Sequence, residues 1–197
     1  EIRILGEQGE ILPDGERGEI CIRGGGVMAG YIDDPAGTDQ VLREGWMHTG
    51  DIGWVDPAGR LYVVDRIKDM IIRGGNNIYP AEVEAVLVEF HGVASAAVVG
   101  REHPIHGEEI VAVIEPVESG ELDMQALQDH AARQLARNRL PREWAIVEAL
   151  PLGPSRKVLK RELREQIRSG ALPTSTRSLS GGSGRDPGQQ NPPHDKE

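Results

Sequence analysis

Two separated side chains have the chemistry to bind a nucleotide. Asp51 lies in the segment Thr49-Gly50-Asp51, where a carboxylate at a turn can accept hydrogen bonds from two neighbouring hydroxyls, such as those of a ribose. Arg66 follows a predicted strand, and its forked guanidinium suits ribose and phosphate oxygens. Taken alone, a turn aspartate is more often an Asx-turn residue, and an arginine after a strand often forms a surface ion pair. Local sequence therefore leaves both interpretations open.

A pair of glycines marks a second place where a ligand could approach. Gly74 and Gly75 have no side chains, so another group can pass close to their backbone. A plain hairpin turn explains the same pair equally well.

Other patterns associated with chemistry are weak. The segment Gly24 to Ala29 fits a dinucleotide fingerprint by spacing, but Gly30 and Pro35 oppose the helix that must open directly behind it. His103, His106 and Glu108 have side chains that could ligate a metal ion. No further strong ligand is evident, and no helix is predicted that would direct both imidazole rings to one point, so a polar connection between two strands explains these residues better. No G-x-S-x-G elbow is present. We predict no metal ligand among these residues.

Composition narrows the class of protein. The 197 residues are 38% hydrophobic and 27% charged, which suits one or two globular domains. A formal net charge of -10 argues against general binding to nucleic acid or anionic membranes. No apolar run approaches the roughly 20 residues of a membrane span, and no secretion signal is present. The lone Cys21 fits a reducing cytoplasm, and the start at Glu1 without methionine indicates a fragment.

The pattern of apolar residues changes near residue 66. Before it, short strands and turns are predicted, with strands at 19–23 and 61–64 and a turn at 56–59 between them. After it, the pattern predicts a strand at 70–72, a Gly-Gly-Asn-Asn turn and a helix that opens at Pro80.

Further elements follow at regular intervals. Strands are predicted at 94–99 and 109–114, joined by a polar loop at 101–108. A helix capped by Asp123 is predicted to continue until Pro141, followed by a strand at 144–147. A last helix carries Leu159, Leu163 and Ile167 on one face. The order β-α-β-β-α-β-α predicts an α+β module.

Three stretches in the right order carry a family resemblance. They are Gly45-Trp46-Met47-His48-Thr49-Gly50-Asp51, the segment from Val64 to Glu84 with Asp65-Arg66-Ile67-Lys68 and Gly74-Gly75, and Lys157-Val158-Leu159-Lys160. Over residues 1–170 the chain resembles the AMP-forming acyl-CoA synthetases of the adenylate-forming (AMP-binding) superfamily, and is most similar to fatty and aromatic acid CoA ligases. The resemblance implies an α+β fold in which residues 1–65 form the β-rich end of a large N-terminal domain and 66–170 form a small C-terminal lid. Residues 171–197 have almost nothing apolar to bury and are predicted to be a disordered tail.

The resemblance also implies an activity. Such enzymes convert a carboxylic acid, here expected to be a fatty acid, and ATP into an acyl-adenylate and pyrophosphate, and then transfer the acyl group to CoA. The triphosphate loop, the acyl pocket and the ligands of Mg²⁺ are expected in an N-terminal domain upstream of residue 1. The 197 residues alone are therefore predicted to release no pyrophosphate.

The family pattern assigns roles to individual residues. By resemblance, Asp51, Arg66 and Thr49 hold ATP or AMP, Lys68 is the hinge of the lid, Gly74 and Gly75 border the path of the CoA pantetheine arm, and Lys157 catalyses adenylation. Arg156 stands where the family usually has glycine, which would hamper the loop if it needs a positive φ.

Two alternatives remain open. An adenylating relative could deliver its acyl group to a carrier protein instead of CoA. Alternatively, the chain could be a non-catalytic lid module that acts only with a separate N-terminal half.

Overall fold

The computed structural model describes residues 1–117 and 122–176. Two β-sheets, each accompanied by helices, follow one another along the chain. The first is an antiparallel sheet of five strands with one short helix: β1 (Ile2–Leu5), β2 (Gly18–Ile22), α1 (Pro35–Val41), β3 (Leu42–Arg43), β4 (Trp46–Val55) and β5 (Leu61–Arg66). Its strand order is β1-β2-β4-β3, with β5 paired to β4.

The strands and the turn predicted in this sheet are confirmed. Ile20 and Cys21 of β2 are buried, and the polar hairpin between β4 and β5 is held by Asp56. Its Oδ1 accepts hydrogen bonds of 2.9 Å from the backbone N–H groups of Ala58 and Arg60. These bonds, led by the one from Arg60, lower the pKa of the Asp56 carboxyl, since they favour its charged form. The hairpin therefore fixes the pairing of β4 with β5.

Helix α1 is an element that the sequence prediction missed. Asp34 caps it by accepting a 2.8 Å hydrogen bond from the Gly37 N–H, and Pro35 occupies its first turn. The segment after Gly24 forms a turn and not a helix, so it lacks the helix N-terminus that a dinucleotide fingerprint needs.

The second sheet has six strands and carries three helices. Its elements are β6 (Ile71–Arg73), β7 (Asn76–Ile78), α2 (Pro80–Val88), β8 (Val93–His103), β9 (Gly107–Pro116), α3 (Met124–Gln134), β10 (Glu143–Ile146), α4 (Lys160–Ser169) and β11 (Ser175–Thr176). The order is β11-β10-β9-β6-β7, with β8 paired to β9. Only β10 runs parallel to its neighbour β9. The α+β class is thus confirmed.

Helices cover both faces of the second sheet, which explains the near-continuous apolar runs of β8 and β9. Side chains of α2 and α3, such as Val83 and Leu127, pack on one face with Val98. Leu163 and Ile167 of α4 pack on the other face against strand neighbours such as Val99. Because successive strand residues point to opposite faces, the two cores share the same strands. The arrangement gives a rigid three-layer unit.

The structure corrects several predicted boundaries. The predicted polar loop at 101–108 is mostly strand, because the β8–β9 ladder continues to the pair His103 and Gly107, leaving a tight turn at 104–106. Helix α3 ends at Gln134, well before Pro141, since Leu135 already has an extended backbone. Leu159 precedes α4 and is 40% exposed, so it does not share the buried face of Leu163 and Ile167.

The predicted disordered tail begins too early. Ser175 and Thr176 pair with β10 as strand β11, and the Thr174 hydroxyl donates a 2.9 Å hydrogen bond to Glu143. These contacts pair the backbone of residues 175 and 176 and the hydroxyl of Thr174 with β10, which the composition of the segment did not predict. The rest of that tail, residues 177–197, lies outside the described residues.

Polar contacts join the two sheets where β5 meets α2. Asp65 Oδ2 accepts a 2.8 Å hydrogen bond from the Ala81 N–H, replacing the side-chain cap that Tyr79 does not provide for α2. Arg17 forms a 2.7 Å ion pair with Glu82 nearby. The first sheet therefore contacts the N-terminus of helix α2 directly. None of the helices described in 1–117 and 122–176 is long and apolar enough to cross a membrane.

Candidate functional site

Asp51 and Arg66 lie directly opposite each other on strands β4 and β5. Arg66 Nε donates a 3.1 Å hydrogen bond to Asp51 Oδ1, and the Arg66 side chain is 52% and the Asp51 side chain 38% exposed. Within the described parts of the chain, no other bond engages Asp51 Oδ2 or the terminal nitrogens of Arg66. The pair thus presents one free carboxylate oxygen and two free donors side by side, which suits a ligand that carries both hydroxyl and anionic oxygens.

Thr49 shapes the backbone before Asp51. Its hydroxyl donates a 2.8 Å hydrogen bond to the Ile20 carbonyl and accepts a 3.1 Å bond from the Asp51 N–H. The hydroxyl proton is therefore used within the protein. Any contact of Thr49 with a nucleotide stays a prediction.

A cluster of three polar side chains beneath this turn was missed by the sequence prediction. Donor atoms of Glu19, Cys21 and His48 all lie within 4.8 Å of one another. His48 Nδ1 is 2.7 Å from Glu19 Oε2 and 3.5 Å from Cys21 Sγ. No local sequence pattern indicates it, because the cluster forms only through the strand register that pairs His48 with Cys21.

The donor set of this cluster does not demand a metal. Burial raises the pKa of the Cys21 thiol to about 11, and the negative charge of Glu19 acts in the same direction. The thiol therefore keeps its proton at neutral pH, while Glu19 and His48 satisfy each other. Cys21 is a buried structural residue here and not an activated nucleophile.

Gly74 and Gly75 form the two-residue turn of the β6–β7 hairpin. Their φ values are 57° and 76°, the left-handed pair that glycine adopts most easily. The Gly74 N–H donates a 2.8 Å bond to the His106 carbonyl. No described atom lies within 4 Å of an added Cβ at either glycine, so the turn borders open space. Asn76 and Asn77, predicted as part of this turn, belong to β7.

Lys68 is in a single 3₁₀ turn, Ile67–Asp69, between the two sheets. Arg164 of α4 contacts this turn through a 3.0 Å ion pair with Asp69 and a 3.5 Å bond to the Lys68 carbonyl. The Lys68 side chain is exposed, and it forms no ion pair with any residue in 1–117 or 122–176. The turn is thus short and lightly held.

Lys157 lies on an exposed surface loop that is fixed at both ends. Gly153 N–H donates to the Lys157 carbonyl at 2.9 Å, and Leu152 bridges to Val158. The lysine side chain is exposed and forms no ion pair with Asp51 or any other described residue. Arg156, just before it, has φ 60°, so the position does adopt the backbone that favours glycine.

The structure thus brings Asp51 and Arg66 together, whereas Lys157 forms no ion pair with either within the described residues. Thr49 accepts a hydrogen bond from the Asp51 N–H, the glycine turn belongs to the second sheet, and Lys68 lies on the connection between the sheets.

Replacing Cys21 tests its protonated state. The folded pKa of about 11 exceeds the ordinary value of 9.0, so the thiol contributes stability below pH 9 that is lost as the pH rises towards 11. We expect the unfolding free energy of the wild-type chain to fall more steeply than that of Cys21→Ala over this interval in urea titrations. Parallel curves for the two proteins would contradict the assignment.

Replacing Arg156 tests the strain in the Lys157 loop. Glycine removes the Cβ clash of the left-handed backbone, so Arg156→Gly should raise the unfolding free energy by up to about 1 kcal/mol in urea titrations. Arg156→Ala is the matched control, because it removes the charge but keeps Cβ. Equal stability of the Gly and Ala variants would show that φ is not the cause.

Comparisons with known proteins identify the relatives of this chain. Residues 82–157 match the AMP-binding enzyme C-terminal domain. A feruloyl-CoA synthase from Amycolatopsis is 43% identical over 167 residues, which are 85% of this chain and 34% of that protein. A long-chain-fatty-acid–CoA ligase from Mycobacterium tuberculosis is 40% identical over 166 residues, 84% of this chain and 33% of that protein.

A solved structure of a CoA synthetase is also similar to most of this chain. The o-succinylbenzoate CoA synthetase from Bacillus subtilis, in complex with its acyl-adenylate intermediate, superimposes with a TM-score of 0.78 at 36% identity, covering 83% of this chain and 33% of that one. The chain thus spans about a third of the length of the proteins it matches. It belongs to the adenylate-forming, AMP-binding enzyme family and carries that family's C-terminal domain.

Proposed function

We propose that this chain is the nucleotide- and thiol-handling part of an acid–CoA ligase that works through an acyl-adenylate. The observation that carries the proposal is the in-register pair of Asp51 and Arg66 with its unused oxygen and donors. Membership of the adenylate-forming family, with relatives named as CoA ligases, supports the same reaction.

The proposed domain division follows the strands. Residues 1–65 would belong to the large domain and 66–170 to the lid, with Lys68 as the pivot. In support, β5 ends at Arg66, the second sheet starts at Ile71, and only the 3₁₀ turn at 67–69 connects them. A short connection of this kind can absorb a rotation by changing few backbone angles.

In the first half-reaction, an oxygen of the substrate carboxylate attacks the α-phosphorus of ATP. The bond from that phosphorus to the bridging oxygen breaks, and pyrophosphate leaves with the electron pair. Asp51 would accept hydrogen bonds from the ribose hydroxyls, and Arg66 would donate to ribose and phosphate oxygens. Lys157 would place its ammonium beside the carboxylate and α-phosphate oxygens, where charge changes most.

In the second half-reaction, the CoA sulfur attacks the acyl carbon, and the thiol proton passes to the solvent. The carbon–oxygen bond to AMP breaks, and AMP leaves with the electron pair. The Gly74–Gly75 turn would border the pantetheine path, because neither glycine has a side chain that would fill the open space beside the backbone.

The position of Lys157 agrees with a lid that changes orientation. The lysine side chain is exposed and forms no ion pair among the described residues, so no ion pair of its own would break as it moved towards Asp51. Rotation at Lys68 would disturb the Arg164 contacts with the 3₁₀ turn and the contacts of Arg17 with Glu82.

The relatives differ in the acid that their names give. A fatty acid has the support of the mycobacterial relative, while the slightly more similar feruloyl-CoA synthase acts on an aromatic acid by its name. We therefore propose a carboxylic acid as substrate. Mg²⁺ would accompany ATP, and we propose its ligands outside this chain.

The names of the relatives favour CoA over a carrier protein as acyl acceptor. Competition between CoA and a phosphopantetheinylated carrier protein for the same acyl-adenylate distinguishes the two. A non-catalytic lid module would bind an acyl-adenylate analogue only when a complementary polypeptide is added, and would support no turnover.

The test joins this chain to the upstream two-thirds of the Amycolatopsis feruloyl-CoA synthase. In this chimera, Lys157→Ala should slow pyrophosphate release from ATP and ferulate by about 100-fold or more, as expected when a charge-stabilising donor is lost. Formation of feruloyl-CoA from supplied feruloyl-adenylate should change little.

Arg161→Ala is the matched control, because Arg161 is an exposed cation with no partner within the described chain. It should leave both half-reactions unchanged. Equal losses in the two half-reactions for Lys157→Ala would contradict the role of Lys157, and a chimera without pyrophosphate release would contradict the proposed function.

A further inference from the structure

The segment that carries Asp51 bulges out of the first sheet. In the β2–β4 ladder, Glu19 pairs with Ile52 and the next pair is Cys21 with His48. One residue of β2 therefore faces three residues of β4, namely Thr49, Gly50 and Asp51. Such a bulge deprives its backbone of regular ladder partners and redirects the side chains it carries.

Side chains replace the missing ladder bonds. The Thr49 hydroxyl binds the Ile20 carbonyl and the Asp51 N–H, as described above. The N–H of Gly50, in the middle of the bulge, donates a 3.1 Å hydrogen bond to Glu19 Oε1. Gly50 has φ 70°, so this bond stabilises the residue with the least restricted backbone in the segment.

The second oxygen of Glu19 is held as well. Glu19 Oε2 lies 2.7 Å from His48 Nδ1, and the Glu19 side chain is only 21% exposed. The carboxylate thus bridges the residue before Thr49 and the residue after it. A carboxylate offers two acceptors to two donors, whereas an amide of the same size offers one.

We propose that Glu19 is a positioning residue for Asp51. By holding Gly50 with one oxygen and His48 with the other, it fixes the bulge so that the Asp51 carboxylate stands beside Arg66 and faces the nucleotide. The inference rests on the proposed function for the identity of the ligand, but its structural part concerns the bulge alone.

Amide hydrogen exchange of the 197-residue chain tests the structural part. Glu19→Ala should speed exchange at Gly50 by about tenfold, the change expected for loss of a hydrogen bond to a charged group. Glu19→Gln, which keeps one acceptor, should give a smaller increase. Glu16→Ala is the matched control, because Glu16 is an exposed glutamate of the same segment without a side-chain contact in the described residues.

The same variants in the chimera test the functional part. Glu19→Ala should raise the KM for ATP about tenfold, Glu19→Gln should raise it less, and the KM for CoA should stay unchanged. A merely structural residue would instead lower the fraction of active enzyme and leave the KM for ATP unaltered.

The outcomes separate the two claims. Unchanged Gly50 exchange in Glu19→Ala would overturn the positioning role, whatever the chimera does. If the alanine variant does not fold, Glu19→Asp decides, since its carboxylate is one methylene too short to hold both donors and should also speed Gly50 exchange. A wild-type chimera that releases no pyrophosphate would overturn the proposed function while leaving the exchange result valid.

Discussion

The antiparallel register of β4 and β5 is the constraint on which the site depends. It sets Asp51 opposite Arg66, and a slip of one residue would turn either side chain to the other face of the sheet. The tight hairpin centred on Asp56 holds that register from one end. The bulge at 49–51 then aims the carboxylate, because the regular ladder with β2 is interrupted there. Two exposed charges thus owe their geometry to buried backbone and side-chain contacts.

The second sheet meets a different physical demand. Its central strands are covered on both faces, so the glycine turn and the Lys157 loop project from one rigid body. The backbone connection to the first sheet is a single 3₁₀ turn, and the Asp65–Ala81 hydrogen bond and the Arg17–Glu82 ion pair join the two sheets beside it. The proposed rotation at this turn would carry Lys157 without reshaping its loop. The positive φ at Arg156 is a local departure within that loop.

Much of this could be predicted from the sequence. The strands around Ile20 and Leu61 and the Asp123-capped helix followed from apolar spacing and turn chemistry, because those signals are local. The family resemblance alone predicts that Asp51 and Arg66 act on the same nucleotide, and the register places them opposite each other. The Glu19–His48 contact could not be foreseen in this way, since it joins residues 29 apart through a bulge that no local pattern encodes. Strand β11 was missed because its two residues are polar and gain their order only from pairing with β10.

The proposed function requires that Asp51 and Arg66 bind the ribose of an adenylate. A crystal structure of the chimera with a non-hydrolysable feruloyl-adenylate analogue would show whether they do. We expect the ribose hydroxyls within about 2.6–3.2 Å of Asp51 oxygens, with Arg66 still beside that carboxylate. An analogue bound with its ribose away from Asp51, or with Arg66 turned to the opposite side of the sheet, would contradict it.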